Sequence, residues 1–417
     1  MELRKINNPK KKYKNYNILF LCKDFRFYYF FFLFLFLLTF DYNKNWHFFS
    51  KIIEFDSWSV YGDLRLLLKG IDVYRDGKNP FLENYLPPYN YPSTWKIFSY
   101  FKFINSDNYK VIGTVLILTS QFLFLSISGS WMTLKKTLYY LLLLISPLSL
   151  LMMERCNSDL VIFSLVTAPI VFFPQKKIAF IIFIFFAFLL KLYPLGAFLL
   201  AIYNFSYSKK IIIIYGFIFI ITLLYIGINY GEFAIIKERT PTSIYNLSFG
   251  ISVLTENMII VKHLNKPFSY ALTFFYILVL GITLFILFMK QKAKNTDLII
   301  KLGNKEMNSF LIGSGIFLFS FFFTISWEYR LFFLLLCVPS ILEWRKQKVF
   351  GTTFLIISLP IVFWNQTLRM IMEKYIYENS NNLFLFNQIL IYCVAGILIT
   401  YILIIFQNKL KFTKRIE

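Results

Sequence analysis

Ionisable and aromatic side chains gather at four places in this chain: "GDLRLLLKGIDVYRDGKNPF" from Gly62, "MERCNSD" from Met153, "KLYP" from Lys191 and "SWEYR" from Ser326. In the first, Val60, Leu64, Leu67/Leu68 and Ile71 recur at the spacing of one helical face, with Gly70 and Gly77 as stops. That pattern predicts an amphipathic helix lying at a membrane surface. Asp63 falls about 100° around the helix from Leu64, at the border of the apolar stripe. A carboxylate held against hydrocarbon near basic groups is suited to take a proton from a hydroxyl, as a general base does. The competing reading is a surface acid paired with Arg65, Lys69 or Arg75.

The other three clusters each mix charges with aromatics where an apolar run ends. Ionisable groups at a membrane edge are functional candidates because burying them is costly. Helix-end snorkelling and interhelical salt bridges are the plainer alternative. For Asp159 in particular the expectation is a satisfied polar layer between helices.

The rest of the chain explains what must position these groups. Of its 417 residues 58% are hydrophobic and 16% charged, too apolar a balance for a water-soluble domain. The expectation is an all-α polytopic membrane protein, a single integral membrane domain over 1–417. The net charge of +22 is dispersed between apolar runs without a nucleic-acid-binding motif, so no nucleic-acid partner is expected. Cys22, Cys156, Cys337 and Cys393 lie far apart, and His47 and His263 form no ligand spacing with them. Glu54 and Asp56 could hold a divalent ion but have no third ligand. No metal or other cofactor is expected.

Spans are expected near 17–40, 111–131, 137–153, 159–174, 211–228, 268–290, 308–326, 330–344, 350–366 and 384–407, with two short helices meeting at Pro194 between 178 and 205. The first reads as an uncleaved span after a basic cytoplasmic stretch, 1–16. About twelve segments result. Lys135/Lys136, Lys176/Lys177, Lys209/Lys210 and Arg345/Lys346/Lys348 then fall on one face with both termini, the cytoplasmic one by the positive-inside rule. The opposite face receives two long loops, 41–110 and 229–267, the first carrying the amphipathic helix.

At this point the residues resemble a known group. "GDLRLLLKGIDVYRDGKNPF" followed by "YNYPSTW" is similar to the first extracytoplasmic loop of polytopic C-superfamily (GT-C) glycosyltransferases, especially the alpha-mannosyltransferase-like family 87 and its uncharacterised bacterial relatives (DUF2029-like). "MERCNSDL" resembles the family's Glu-Arg-Gly-Asn-x-Asp element, "LLKLYP" its Lys-x-x-Pro element, and "SWEYRLFFLLLCVP" its late Tyr-Arg-Leu segment. The matches keep their order from Asp63 to Pro339. Two departures stand out: Cys156 replaces the usual glycine, and "YPST" replaces the commoner Tyr-Pro-Pro.

The resemblance implies a hexosyltransferase that moves a mannose-like sugar from a polyprenyl-phosphate donor to a lipid or glycan hydroxyl, with inversion, on the outer face of the bacterial inner (plasma) membrane. Asp63 is then the catalytic base. Arg155 and Arg330 are expected at the phosphate with Lys191 assisting, since guanidinium groups bind phosphate by paired hydrogen bonds. Glu154, Asn157, Asp159 and Glu328 are expected to orient those cations or hold sugar hydroxyls, with the polar layer the first expectation for Asp159, while Trp327, Tyr329 and Tyr91 stack on the sugar. Arg239 is a lesser phosphate candidate. The rival reading is a secondary transporter or lipid-linked-sugar flippase that binds at the break around Pro194; an O-antigen polymerase or ligase should instead carry its largest loop late in the chain.

Overall fold

The computed structural model describes residues 24–39, 60–83, 88–129, 133–205, 209–240, 248–260, 264–294, 302–323, 326–376 and 380–413. The basic 1–16 stretch, Cys22, His47, the Glu54/Asp56 pair and His263 lie outside them. Among the described residues the regular structure is helical apart from one antiparallel pair of two-residue strands, Ser248–Phe249 and Ser326–Trp327. The fold is all-α and built from apolar helices.

Among the described residues four helices have the length and hydropathy to cross a membrane: Tyr109–Ile127, Lys266–Thr283, Asn304–Phe323 and Leu385–Lys409. Two bent pairs raise the count to six. This falls short of the twelve segments expected from hydropathy, because local breaks divide the apolar runs. Asp159–Phe172 and Lys177–Leu190 are helices of 14 residues each, which rise about 21 Å against a hydrocarbon core of about 30 Å. The run expected as a span over 330–344 is a 3-10 helix, Glu328–Cys337, followed by the short helix Val338–Lys346. Likewise the 137–153 run bends by 52° between Leu134–Leu144 and Pro147–Arg155. Pro147 sits at the start of the second piece, where its missing N–H costs nothing, and Ser146 caps that end by accepting from Ser149 N.

Asn304–Phe323 is the central post. Every residue from Met307 to Leu318 is buried, as expected for a helix apolar all round. Against it packs the break after Lys177–Leu190: Lys191 is extended (φ −156°, ψ 145°) and a 3-10 turn, Tyr193–Ala197, leads into Phe198–Phe205. A Cβ on Gly196 would lie 2.0 Å from the Gly315 carbonyl oxygen, and one on Gly315 would lie 2.1 Å from that of Gly196. Backbone therefore touches backbone here, the contact that small residues permit between membrane helices.

Candidate active site

An amphipathic helix forms over Gly62–Arg75, running through Gly70, which was expected as a stop, and ending before the left-handed Gly77 (φ 74°), with Asp63, Leu64, Leu67, Leu68, Gly70, Ile71 and Tyr74 on its buried face. Its placement is over-determined. Tyr61, at the N-cap in a left-handed conformation (φ 58°), donates its N–H to the Glu154 carbonyl at 2.9 Å. The Tyr61 ring lies on Gly113, where a Cβ would meet it at 2.6 Å. At the other end Arg75 donates to the carbonyls of Ser99, Phe101 and Ile104 and pairs with Asp72. Asp72 also accepts from Ser106 N at 2.9 Å.

The segment after this helix secures the break at Lys191. Asn79 caps the "NPF" turn by accepting from Phe81 N at 3.0 Å. Thr94 Oγ1 then donates to the Leu189 carbonyl at 2.6 Å and Trp95 Nε1 to that of Leu190 at 3.2 Å. These are carbonyls that the end of Lys177–Leu190 leaves without helical partners. Ser93 N donates to Glu232 Oε1 at 2.7 Å, a bond that proline at this position could not make. The "YPST" departure is thus used twice, and it ties the first loop to the second.

Beneath Asp63 the Pro147–Arg155 helix ends at Cys156, which is left-handed (φ 43°, ψ 51°). Glycine fills such helix ends most readily because it has no Cβ. This turn aims Arg155 and Asn157 at Asp63. Arg155 Nε donates to Oδ2 at 3.0 Å and Nη2 to Oδ1, a two-point fork, and Asn157 Nδ2 donates to Oδ2 at 2.5 Å. Three of the roughly four lone-pair sites of a carboxylate are then used, leaving room for one further donor.

A second acid, Asp159, lies just beyond. Its N–H donates to Asn157 Oδ1 at 2.9 Å. Its side chain is fully buried; Oδ1 pairs with Lys191 Nζ, and Oδ2 lies 3.4 Å from Arg330 Nε. Arg330 also donates to Ser326 Oγ at 3.1 Å, and its guanidinium lies 4.9 Å above the Tyr193 ring. Asn157 joins the halves, since Oδ1 also accepts from Lys191 Nζ at 3.3 Å while Nδ2 donates to Tyr329 Oη at 3.1 Å. Three cations against two carboxylates leave one net positive charge.

These groups face a cavity of about 300 Å³, at the small end of ligand pockets. Its lining includes Asp63, Tyr91, Arg155, Asn157, Lys191, Tyr193, Trp327, Tyr329 and Arg330. Trp327 and Tyr329 stack at 6.1 Å and 11°, giving the cavity a flat aromatic wall. Tyr91 Oη reaches the Asp63 carbonyl at 3.3 Å. Burial, then the Asp63 carboxylate, holds the Tyr91 phenol well above its ordinary value, so it remains a neutral hydroxyl.

Two expected residues do not line the cavity. The Glu154 side chain is buried away from it, and Glu328 is directed the other way, accepting from Asn365 and Asn387 at 3.4 Å each. Each is next to, or two residues from, a cation that does face the cavity, and successive positions in a helix point in different directions. Arg239 lines a separate open groove of about 910 Å³ together with Glu232 and Glu238. Conversely, Tyr193 was not anticipated, the aromatic within "KLYP" being its available signal; Asp159, expected in a polar layer or orienting the cations, pairs with two of them.

Among the described residues no group of three His, Cys, Asp or Glu side chains could hold a metal ion. The chemistry present is one carboxylate that lines the cavity, three cations and an aromatic wall. That set can bind an anion beside a flat polar ring and accept a proton. No family model, curated protein or solved structure matches the chain.

Proposed function

We propose that the protein is a polytopic glycosyltransferase of the C-superfamily type, transferring a hexose from a polyprenyl-phosphate donor to a lipid or glycan hydroxyl at the outer face of the bacterial inner membrane. In this reading the short helices supplement the longer ones to make about twelve membrane segments, with both termini cytoplasmic. The observation that carries it is convergence: Asp63, Arg155, Lys191 and Arg330, from four segments spread over more than half the chain, line one small cavity with Trp327 and Tyr329.

The acceptor hydroxyl occupies the remaining lone-pair site of Asp63, gives it the proton, and bonds through oxygen to the anomeric carbon. The bond from that carbon to the phosphate oxygen breaks, and polyprenyl phosphate leaves with the electron pair. Cations fixed where this charge develops stabilise the transition state more than the ground state. Donor phosphate near Arg155 competes with Asp63 for the guanidinium, which frees the carboxylate for the proton. Trp327 and Tyr329 face the sugar.

The test is transfer from radiolabelled polyprenyl-phosphate sugar in proteoliposomes. Asp63→Asn is expected to lower the rate by about 1000-fold, the middle of the range for general-base catalysis, with the folded yield unchanged. Full transfer by that variant removes the base assignment. The break at Lys191 is also the form of a transporter's discontinuous helix, and counterflow of unmodified sugar lipid would favour that reading.

A further inference from the structure

We propose that Asp159 is a positioning residue for the reaction: without touching substrate, it fixes Lys191 and Arg330 as one aimed pair of cations for the donor phosphate. This rests on the glycosyl-transfer reading. The two cations come from unrelated elements, an extended residue after a broken helix and a 3-10 helix 139 positions later. Both are long flexible side chains; Arg330 is also held by Ser326 Oγ and Lys191 by Asn157 Oδ1, but neither of those contacts brings the two cations to one point. Asp159 does, with one carboxylate oxygen for each. It is itself fixed, in the first turn of its helix with its N–H on Asn157. Its side chain is 0% exposed and absent from the cavity lining, whereas those of Lys191 and Arg330 are 14% and 18% exposed and line it. The acid therefore acts through the two bases.

Charge gives Asp159 a second effect. With it the site carries one net positive charge, matched to a donor phosphodiester, which bears a single negative charge. The leaving phosphate monoester approaches two at neutral pH, so it is not over-held. An Asp159→Asn variant leaves two net positive charges with their aim lost. Anions should bind as well as before or better, while transfer slows.

The experiment is steady-state transfer by the full-length protein in proteoliposomes, with the folded fraction measured by size exclusion. For Asp159→Asn the expected result is kcat lower by about 100-fold, the cost of roughly 1 Å of misplacement, with donor KM unchanged or lower and inhibition by short-chain prenyl phosphate stronger. Asp159→Glu, which keeps the charge, should recover about a tenth of the wild-type kcat. A donor KM that rises as much as kcat falls, or no change in either, overturns the assignment. If Asp159→Asn does not fold, the double variant Asp159→Asn/Lys191→Met removes both ends of one ion pair. Its kcat should fall at least about tenfold below that of Lys191→Met alone, because Arg330 loses its anchor; equality of the two refutes the proposal. If the wild type transfers nothing, the glycosyl-transfer reading fails separately. Prenyl phosphate binding by native mass spectrometry then still reads Asp159, since retained or tighter binding by Asp159→Asn supports it and weaker binding excludes it.

Discussion

Asp63 and Asp159 are the same residue type within one hydrogen-bonded network, yet their surroundings give them different work. Asp63 comes from a surface helix, faces the cavity, and is held by donors that leave one acceptor site open. Asp159 starts a helix in the interior, is wholly buried, and holds two cations at once. A carboxylate that must exchange partners needs access, whereas one that fixes partners is better without it. Asn157, bonded to Asp63 through its amide nitrogen and to Lys191 and the Asp159 N–H through its oxygen, couples the two.

The sharpest way to break that contrast is stability. Asp159→Ala leaves Lys191 and Arg330 buried side by side without their shared counter-charge, and removing one partner of a buried ion pair costs about 3–5 kcal/mol. Asp63→Ala should cost less, about 1–3 kcal/mol, because it strands one cation, Arg155, rather than two. Denaturant unfolding followed by tryptophan fluorescence ranks the two. Equal losses would mean that both acids are scaffold.

The next effect concerns what holds Lys191 in place. Gly315→Ala puts a methyl group 2.1 Å from the Gly196 carbonyl oxygen, so the Tyr193–Ala197 turn must move off the central helix. Overpacking of this kind costs about 1–3 kcal/mol. Movement of the turn also displaces Lys191 relative to Asp159. Transfer is expected to fall further than folded yield, whereas Gly281→Ala, on a helix face with nothing within 4 Å, should change neither.

How far the sequence revealed this arrangement depends on which interaction decides each residue. The amphipathic helix and the place of Asp63 on it follow from local periodicity, which one segment contains in full. Arg155, Lys191 and Arg330 stood out as charges at the ends of apolar runs, with the polar Asn157 beside the first. Glu154 and Glu328 stood out equally, but which way a side chain points depends on the turn that ends its helix, here the left-handed Cys156 and the 3-10 winding of Glu328–Cys337. The double role of Asp159 needs three segments in contact, and no spacing encodes that. The described span-length helices are fewer than the expected segments for a related reason: hydropathy sums apolar residues, while Pro147, the extended Lys191 and the 3-10 segments divide the runs that it joins.

A more local effect separates the two loops from the membrane helices. Ser93→Pro restores the commoner Tyr-Pro-Pro pattern and removes the N–H that Glu232 accepts. Pro92 before it has ψ 148°, which a following proline tolerates, so the loss isolates one hydrogen bond to a carboxylate, about 1.5–3 kcal/mol. Hydrogen exchange should show it as local opening of the Tyr230–Arg239 helix, with the Asp159 assembly unaffected.

The smallest expected effect lies at Cys156, where two terms oppose. A non-glycine residue in the left-handed region costs about 1–3 kcal/mol, so Cys156→Gly relieves strain. The side chain is fully buried and its Sγ lies 3.8 Å from the Gly113 carbonyl oxygen, so deleting it forfeits about 1–2 kcal/mol of burial. The sum should fall within about 1 kcal/mol of zero, measured as a midpoint shift in thermal unfolding, and transfer should be retained. Cys156→Val forces a larger, β-branched residue into the same backbone, so it should lose stability and, by moving Arg155 and Asn157, slow transfer. If valine is tolerated as well as glycine, the left-handed turn is not what aims Arg155 at Asp63. The accessible acid would then owe its geometry to the surface helix alone.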